Sequence, residues 1–537
     1  MTNSIEEIEH HDVIFVIGSN TTETHPIIAL RMKRAVRKGA TLIVADPRKI
    51  DLVRFARLWL PLRPGTDSAL LNAMMHVIIR EGLIDRTFID ARTEGFEALR
   101  ESLLDCSPEW AADVTGVPAG DIVRAARLYG NASHPGIYYT MGITQHSHGT
   151  ENVFAIANLA LMTGNLGKKS VGVNPLRGQN NVQGATDMGC IPDFLPGYQK
   201  VAVPEIRRKF EKAWGVTLSD RPGLTATDMV KAALSGTIRA LYIMGENSVL
   251  SDPDRDRTIR ALQGLDLLVV QDIFLTETAA LADVVFPAAC FAEKDGTFTN
   301  TERRVQRVRK AVEPPGEARD DARIIAELSG RFGFDLTYDS IEDVFREAGR
   351  LWPALAGITY RRIAKTGLQW PCPTRDHPGT RYLFKGSFPR GRAAFQTVRF
   401  RPPLELPDED YPLLLSTGRH LFHYHTASMT GRVESLVRIE PKPYVEISAA
   451  DAEALGILHG ENVRVSSRRG AIELEARISA RPIKGVVFIP FHYRDAAANA
   501  LTHSALDPLS RIPELKVCAV KIERVAQSTA TTRQKED

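Results

Sequence analysis

Cysteine is scarce in this chain, and the five cysteines that occur are far apart. They stand at positions 106, 190, 290, 372 and 518 of 537 residues, and no two of them form a Cys-x-x-Cys pair. Iron–sulfur clusters and structural zinc sites are built from closely spaced cysteines. We therefore expect neither kind of site inside this chain and no disulfide framework, with reduced thiols in a cytoplasmic protein as the expected state.

Long apolar runs and a strong excess of one charge are also missing. The 68 basic and 65 acidic residues give a net charge of +3, which does not favour a nucleic-acid-binding surface. No run of about 18 apolar residues occurs, so no membrane span is expected. The start, MTNSIEEIEHHD, is polar and acidic, unlike a signal peptide.

The first third of the chain alternates between strand and helix patterns. Apolar runs at 12–18, 41–45, 58–62 and 136–142 predict strands, and helical periodicity covers 27–37, 68–81, 118–130 and 150–163. Such alternation predicts a parallel sheet, whose ligands bind beyond the carboxyl ends of the strands. No Gly-x-Gly-x-x-Gly follows the first strand, so the usual nicotinamide-binding fingerprint is absent. Six residues fall at the strand ends: Gly18, Asn20, Asp46, Arg48, Gly65 and Asp67.

Two further regions repeat or change this pattern. Runs at 240–244 and 267–271 predict a second α/β domain, and its strands end in polar residues that suggest a second half of one large ligand. The same residues could simply cap helices. Short β-type runs at 413–416, 444–447, 462–466, 471–478 and 486–489, after a Pro-rich linker at 401–412, predict a β-barrel-like domain.

These patterns predict a multidomain α/β protein with two Rossmann-like parallel-sheet domains and a C-terminal β-barrel-like domain. The expected boundaries are 1–179, 180–384 and 385–526, with a disordered tail at 527–537. The basic run ERRVQRVRK at 302–310 is interpreted as a solvated face.

A glycine-rich stretch at 164–197 surrounds one cation, Arg177, in the segment PLRGQNNVQG. Its few apolar residues favour an irregular loop over a helix or a strand. Asn and Gln supply uncharged donors and acceptors, and the planar guanidinium of Arg177 suits a carboxylate. The alternative is a solvated loop whose arginine caps a helix.

The letters of this loop, PLRGQNNVQGATDMGCIPDFLPGYQ, resemble the active-site loop of molybdopterin-dependent formate dehydrogenases in the dimethyl sulfoxide reductase superfamily. The resemblance covers almost the whole chain, through FVIGSN, VADPRK, MGITQ, LMTGNLGK, YIMGEN, VQDIF, TNTERRVQ, STGRHLFHYHTASMTGR and KVCAVKIE. In that family the arginine matching Arg177 lies beside the metal and orients formate. The resemblance thus implies oxidation of formate to carbon dioxide.

The resemblance also implies a bis(molybdopterin guanine dinucleotide) cofactor that holds molybdenum or tungsten. Matching positions for one half are Gly18, Asn20, Asp46, Arg48, Gly65, Asp67, Met141, Gly142 and Gln145. Those for the other half are Gly245, Glu246, Asn247, Gln271, Asp272, Thr417, Arg419, His420, His423 and Tyr424. Gln179 would contact a pterin, and a second contact set in the barrel is His492, Tyr493, Asn499 and Lys516. His423 and His425 could also suggest a metal site, but no third ligand is evident, and no metal ligand is predicted.

The chain departs from the family in two respects. Relatives begin with a cysteine-rich segment for a [4Fe–4S] cluster, followed by a metal-ligating cysteine or selenocysteine and a histidine. None of the five cysteines here precedes a histidine. The resemblance implies that these parts lie in a preceding segment or a separate polypeptide, that electrons leave to further subunits, and that this chain alone is inactive.

Two other functions stay open from the sequence. Another oxidoreductase of the superfamily, such as a nitrate reductase, would share most segments, but the loop around Arg177 favours formate dehydrogenase. A non-catalytic pterin-binding protein is supported only by the missing metal ligand.

Overall fold

The computed structural model describes residues 1–525. The segment predicted to be a disordered tail, 527–537, lies outside the described residues. Within them, two parallel sheets and a closed barrel confirm the predicted fold class.

The first sheet has five parallel strands. Val13–Ile17 and Pro135–Tyr139 are buried along their whole length, as expected when helices cover both faces of a parallel sheet. The predicted strand at 136–142 is too long, because Gly142 N–H donates to Gly18 O at 3.1 Å and turns the chain into a short helix. The spatial order is Leu58–Leu60, Thr41–Ala45, Val13–Ile17, Pro135–Tyr139 and Gly172–Pro175.

Alternate residues of the central strand pack into two different cores. Phe15 and Ile17 belong to the larger core, with the helices Asp67–Arg80 and Gly149–Met162. Ile14 and Val16 face the other way, against Pro26–Arg37, because successive strand side chains point to opposite faces. Other helices of this region are Thr21–Thr24, Arg86–Arg92, Phe96–Ser102, Pro108–Thr115, Ala119–Gly130 and Met141–Thr144.

The second parallel sheet is smaller and less covered. Its central strand is Leu267–Asp272, flanked by Ala240–Met244 and Val284–Pro287. Tyr242 and Met244 are 39% and 48% exposed. The helices Ser248–Ser251 and Arg255–Gln263 pack on this sheet through Val249 and Leu262. The other helices of this part of the chain are Pro204–Trp214, Ala226–Leu234, Asp321–Arg331 and Ile341–Leu351.

The basic run at 302–310 is not simply a solvated face, and that prediction is wrong in part. Arg304–Val308 is the middle strand of an antiparallel sheet with Gly296–Thr299 and Leu368–Gln369. Arg303 is only 2% exposed, and its guanidinium donates to several backbone carbonyls, including Met1 O at 3.0 Å. These carbonyls accept the hydrogen bonds that the guanidinium would make to water if it were exposed.

The glycine-rich stretch is also more regular than predicted. It contains the edge strand Gly172–Pro175, the helix Val182–Asp187 and a hairpin of Phe194–Leu195 with Gln199–Lys200. Apolar periodicity could not reveal the helix, because the side chains that it buries include the polar Gln183 and Asp187. Within the segment PLRGQNNVQG, the predicted irregular loop is therefore limited to about residues 176–181.

The C-terminal region forms a closed six-stranded barrel. All five predicted strands are confirmed, and Cys518–Arg524 is a sixth that was not predicted. Within Asn462–Ser466, Val463 and Val465 are buried while their neighbours face solvent. The order around the barrel is Leu413–Gly418, Val486–Pro490, Tyr444–Ile447, Ala471–Ile478, Asn462–Ser466 and Cys518–Arg524, with the helices Glu434–Ile439 and Ala449–Leu455 beside it.

The barrel docks on the carboxyl end of the first sheet. Lys49 N–H donates to Arg481 O at 2.7 Å, and Arg48 Nη2 lies 2.5 Å from Glu446 Oε2. The domain boundaries stay predictions, although Phe388 and Phe395 pack in the core of the first sheet. No helix among residues 1–525 is long and apolar enough to cross a membrane.

Candidate functional site

A cleft with about 900 Å³ of open space lies between the first sheet and the barrel. We call it the sheet–barrel cleft. It is lined by strand ends of the first sheet and by loops of the barrel, which is where ligands of such sheets bind. Predicted site residues that line it are Gly18, Asn20, Asp46, Arg48, Gly65, Asp67, Met141, Gly142, Thr417, Arg419 and Lys516.

Two glycines allow two loops of this cleft to cross closely. Gly18 has a φ of +56°, and a Cβ there would lie 2.8 Å from the carbonyl carbon of Gly142. A side chain at Gly142 would in turn collide with the backbone of Gly18. Any larger residue would force the strand ends apart, so both glycines are needed for the floor of the cleft.

Three cations line the sheet–barrel cleft, and only one is paired. Arg48 is bound to Glu446, and its guanidinium lies 3.4 Å from the centre of the Phe488 ring. Arg419 donates to Gly178 O at 3.0 Å, and its Nε is buried with no hydrogen-bond partner. Lys516 Nζ donates to Thr417 O at 2.7 Å. Among residues 1–525 neither Arg419 nor Lys516 forms an ion pair, so the cleft holds positive charge that an anion could neutralise.

The burial of these cations is reflected in their pKa values. Burial, together with the nearby charge of Arg419, lowers the pKa of Lys516 to about 7. Burial also lowers the pKa of Arg419. Both shifts mean that the cleft favours the neutral form of a cation when no anion is bound. A bound phosphate would reverse this preference.

Two buried carboxyl groups lie on the other side of the cleft. Asp46 and Asp67 are 8% and 4% exposed, and burial raises the pKa of each to about 6. Asp46 Oδ1 accepts a hydrogen bond from Arg48 N–H at 2.9 Å. Asn20 follows the first strand, and its Oδ1 is buried without a partner. These oxygens are placed to accept hydrogen bonds from a ligand.

This set of groups fits the cofactor that the resemblance implies. Guanidinium and ammonium groups bind phosphate oxygens. Carboxylate and amide oxygens accept hydrogen bonds from the ring N–H and amino groups of guanine. The cleft therefore offers both kinds of contact that a guanine dinucleotide needs, and the unpartnered atoms of Asn20 and Arg419 lie among them.

Arg177 lies on the loop that borders this cleft, and it is exposed. Its N–H donates to Thr301 Oγ1 at 3.0 Å, and its carbonyl lies 2.7 Å from His25 Nε2. Its Nε donates to Gln183 Oε1 at 3.3 Å. Within residues 1–525 its two terminal nitrogens donate no hydrogen bond, so the outer edge of the guanidinium is free to bind an anion.

A second cleft, with about 750 Å³ of open space, lies between the barrel and the second sheet domain. Its lining includes the predicted residues His423, His492 and Tyr493. The rings of His423 and His492 stack with centroids 4.4 Å apart, and both nitrogens of His492 are buried without a partner. His420 is part of the same cluster and lies 3.1 Å from Glu440. No three His, Cys, Asp or Glu side chains in residues 1–525 form a metal-binding group.

Predicted residues at the end of the second sheet are bonded to other protein groups. Asn247 Oδ1 accepts from Thr278 Oγ1 at 2.9 Å, and its Nδ2 donates to Glu277 at 2.8 Å. Gln271 accepts from Tyr242 and donates to Asp321. Similar internal hydrogen bonds engage Glu246 with Ser251, Asp272 with Ile273, and Asn499 with the carbonyls of Leu250 and Ser251.

The structure groups some predicted residues differently from the sequence interpretation. The sequence resemblance assigns Thr417 and Arg419 to the second half of the ligand, but they line the sheet–barrel cleft together with the residues assigned to the first half. Ten predicted cofactor-binding residues line neither cleft: Gln145, Gln179, Gly245, Glu246, Asn247, Gln271, Asp272, His420, Tyr424 and Asn499. Tyr424 nevertheless approaches the Arg177 loop, with its hydroxyl 3.4 Å from Asn180 Oδ1. All these cofactor roles stay predictions.

Sequence reasoning missed several residues of the sheet–barrel cleft. His146 is 1% exposed, lies 3.7 Å from Glu514, and its Nδ1 has no hydrogen-bond partner. It directly follows the segment MGITQ, so extending that segment by one residue would have found it. Other lining residues that were not predicted include His25, Thr140, Ser416, Phe488 and Phe491.

Two family models match the chain. "Molybdopterin oxidoreductase" covers residues 1–331, and "Molydopterin dinucleotide binding domain" covers residues 413–519. The second match coincides with the barrel. Acetylene hydratase from Pelobacter acetylenicus has the same fold, with a TM-score of 0.78 at 20% identity over 97% of this chain and 81% of that chain.

Characterised relatives extend this match along the whole chain. The F420-dependent formate dehydrogenase subunit alpha of Methanocaldococcus jannaschii is 52% identical over 98% of this chain and 78% of the relative. Formate dehydrogenase H of Escherichia coli is 43% identical over 99% and 75%. The assimilatory nitrate reductase catalytic subunit of Bacillus subtilis is 37% identical over 97% and 76%. The chain thus belongs to the molybdopterin oxidoreductase family, and its barrel is a domain for a molybdopterin cofactor that carries molybdenum or tungsten.

Proposed function

We propose that this chain is the catalytic subunit of a formate dehydrogenase, which oxidises formate to carbon dioxide. Relatives with that name are 52% and 43% identical to it over nearly its whole length. The nitrate reductase is also similar, at 37% identity. Sequence identity therefore favours formate as the substrate, and the geometry of Arg177 gives this substrate a binding group.

The observation that carries the proposal is the half-engaged guanidinium of Arg177. Its Nε is held by Gln183 at 3.3 Å, and its backbone N–H is held by Thr301 at 3.0 Å. The two terminal nitrogens are left free to form parallel hydrogen bonds to one carboxylate. Formate has only this carboxylate and one C–H bond, so a bidentate contact would bind it and direct its C–H bond.

The redox step belongs to the cofactor, which takes up two electrons from the substrate when it is bound. We propose that the cofactor is bis(molybdopterin guanine dinucleotide). Arg419 and Lys516 would hold phosphate groups of one dinucleotide, and Asp46 or Asp67 would accept from its guanine. His492 and Tyr493, in the second cleft, would contact the other dinucleotide.

Partners for electron transfer belong to the same proposal. A [4Fe–4S] cluster and further subunits would carry electrons away from the metal. No cysteine pair suited to such a cluster occurs in this sequence. The cluster and the subunits are expected to be supplied by another segment or polypeptide.

The test is a substrate comparison in the enzyme assembled with its cofactor and electron-transfer parts. Dye reduction with formate and oxidation of reduced dye with nitrate are measured on the same preparation. We expect turnover with formate and none with nitrate. Nitrate turnover without formate turnover would assign the chain to a nitrate reductase. Retained cofactor with neither activity would make it a non-catalytic pterin-binding protein.

A further inference from the structure

A buried carboxylate lies behind Arg177 at the end of the helix Val182–Asp187. Asp187 is 0% exposed. Its Oδ1 accepts hydrogen bonds from Gln183 Nε2 and the Tyr198 hydroxyl, both at 2.8 Å. Its Oδ2 accepts from Trp370 Nε1 at 2.7 Å. Among residues 1–525 no cation pairs with it within 4.0 Å, although a buried carboxylate without a counter-ion is costly.

This carboxylate determines which way the amide of Gln183 points. An ionised carboxylate can only accept hydrogen bonds, so the NH₂ group of Gln183 must face it. The second N–H of that group donates to the Tyr198 hydroxyl at 2.9 Å. With both amide hydrogens engaged, the carbonyl oxygen can only point away, and it lies 3.3 Å from Arg177 Nε.

The chain around Tyr198 is shaped to complete this network. Tyr198 has a φ of +59°, in the left-handed region that non-glycine residues rarely occupy. The preceding residue, Gly197, donates its N–H to Asp187 O at 2.8 Å. Such a conformation is unfavourable for a non-glycine residue and persists only where surrounding contacts impose it. The hydroxyl of Tyr198 is thereby brought to both Gln183 and Asp187.

We propose that Asp187 is a positioning residue for Arg177, because it fixes the amide of Gln183 whose oxygen holds the guanidinium at Nε. Asp187 contacts neither substrate nor cofactor in this proposal and acts only through Gln183. The inference rests on the proposed role of Arg177 as the formate-binding group. Loss of the carboxylate would free the amide of Gln183 to rotate by about 180°. Its NH₂ group would then face the guanidinium of Arg177, and two hydrogen-bond donors repel each other.

The first test is a double-mutant cycle in the cofactor-loaded enzyme. Asp187→Asn should lower kcat/KM for formate about 10- to 100-fold, the range for losing a hydrogen bond to a charged group. In the Arg177→Lys background the same change should cost less than about twofold, because Nε is already gone. Equal losses in both backgrounds would show that Asp187 is merely structural and would overturn the proposal. Glu205→Gln, an exposed carboxyl group on the next helix, is the matched control and should change neither value.

The second test needs no activity. In the chain labelled with ¹⁵N-arginine, the Arg177 Nε–H signal is assigned by its loss in Arg177→Lys. Its hydrogen exchange should become about tenfold faster in Asp187→Asn, as expected when a hydrogen bond is lost. Gln183→Met, which removes the acceptor but leaves Tyr198 and Trp370 on Asp187, should do the same if Asp187→Asn fails to fold.

The two tests separate this inference from the proposed function. A parent enzyme that does not oxidise formate would remove the proposed function, while the exchange measurement would still decide whether Asp187 holds Arg177. Unchanged Nε–H exchange in both variants would overturn the positioning role even if formate is the substrate. Cofactor content and melting temperature are measured for every variant, so that unfolding is not mistaken for lost positioning.

Discussion

The ends of the two parallel sheets carry similar residues but use them in opposite ways. At the first sheet, Asn20 Oδ1 and Arg419 Nε are buried without any partner. At the second, Asn247 is bonded through both side-chain atoms to Thr278, Glu277 and Ser428. Each asparagine is the third residue after a strand, follows a glycine by two positions, and stands at the start of a short helix. Their sequence context is therefore the same, and their surroundings are not.

The difference teaches that a polar residue at a strand end does not by itself make a ligand site. An unpaired buried polar atom costs about 1–3 kcal/mol, so a fold retains such atoms where a ligand recovers the cost. The sheet–barrel cleft has several, together with two unpaired cations. At the end of the second sheet, the same residue types form their hydrogen bonds with other groups of the protein. Four predictions test this contrast.

The largest effect is expected at Arg177, which borders the sheet–barrel cleft. In the cofactor-loaded enzyme, Arg177→Ala should lower kcat/KM for formate about 30- to 1000-fold. This corresponds to about 2–4 kcal/mol of transition-state stabilisation, comparable to removing an oxyanion donor. Steady-state dye reduction with varied formate measures it.

Arg177→Lys is the matched control for charge without the planar fork, and it should retain weak activity. Metal and pterin content are measured in each variant, because lost cofactor would imitate a lost contact. If fully loaded Arg177→Ala keeps kcat/KM within about threefold of the parent, Arg177 is structural and the assignment of formate loses its main support.

Most of the fold could be predicted from the sequence, because its strands follow simple burial patterns. Val13–Ile17 and Val486–Pro490 are short apolar runs ended by turns, and both are fully buried strands. The helix Val182–Asp187 could not be predicted this way, since its buried side is held by hydrogen bonds of Gln183 and Asp187. Periodicity detects apolar burial and is blind to a polar interior.

The site could be predicted only in part, for a different physical reason. Motif matching found the strand-end residues, including Asp46 and Asp67, since these are adjacent to recognisable strands. It could not show that Thr417 and Arg419 face the first sheet, because that depends on how the barrel docks through Arg48 and Glu446, 398 positions apart. Partner choice at such distances is a property of packing and not of local sequence.

The second prediction concerns the unpaired cation Arg419. Arg419→Met should weaken binding of GDP, used as a probe for the nucleotide portion of the cofactor, about 10- to 100-fold. Charged hydrogen bonds are worth about 1.5–3 kcal/mol, and Arg419 has no carboxylate that competes for it among residues 1–525. Isothermal titration calorimetry on the chain measures the affinity.

Arg438→Met is the control for this comparison, since Arg438 is exposed and already lies 2.5 Å from Glu434 on a surface helix. It should leave GDP affinity unchanged. A parallel loss in both variants would mean that overall charge, and not the sheet–barrel cleft, attracts the nucleotide.

The third prediction compares the two asparagines through stability. Asn247→Ala leaves Thr278, Glu277 and Ser428 without their partner and should cost about 1–3 kcal/mol. Asn20→Ala should not destabilise the chain, because the Asn20 side chain donates and accepts no hydrogen bond within residues 1–525. Loss of its unpartnered buried oxygen should instead raise stability by up to about 1 kcal/mol. Thermal unfolding of both variants without ligand measures the difference. Equal destabilisation would abolish the contrast between the two sheet ends.

The smallest effect is a pH dependence at Lys516, where burial lowers the pKa from 10.5 to about 7. Between these two values the unfolded chain binds a proton that the folded chain does not, so this group's contribution to stability rises with pH. The contribution is complete above about pH 10.5 and is lost as the pH falls through about 7. Because Lys516 lines the cleft and is only partly buried, we expect about 0.5–1 kcal/mol between pH 7.5 and 8.5, below the full value for one proton.

Lys516→Met removes this titration and keeps the apolar part of the side chain. From pH 7.5 to 8.5 the melting temperature of the parent should therefore rise by about 1–3 °C relative to that of the variant. This range follows the usual scale for a domain of about 150–250 residues. Taking the difference between parent and variant cancels other groups that titrate nearby, including the buried Met1 amine, whose pKa is lowered to about 4. If the difference in melting temperature between parent and variant stays constant from pH 7.5 to 8.5, Lys516 keeps its proton when no ligand is bound. The sheet–barrel cleft would then resemble the second sheet end, with its cation already satisfied by Thr417 O.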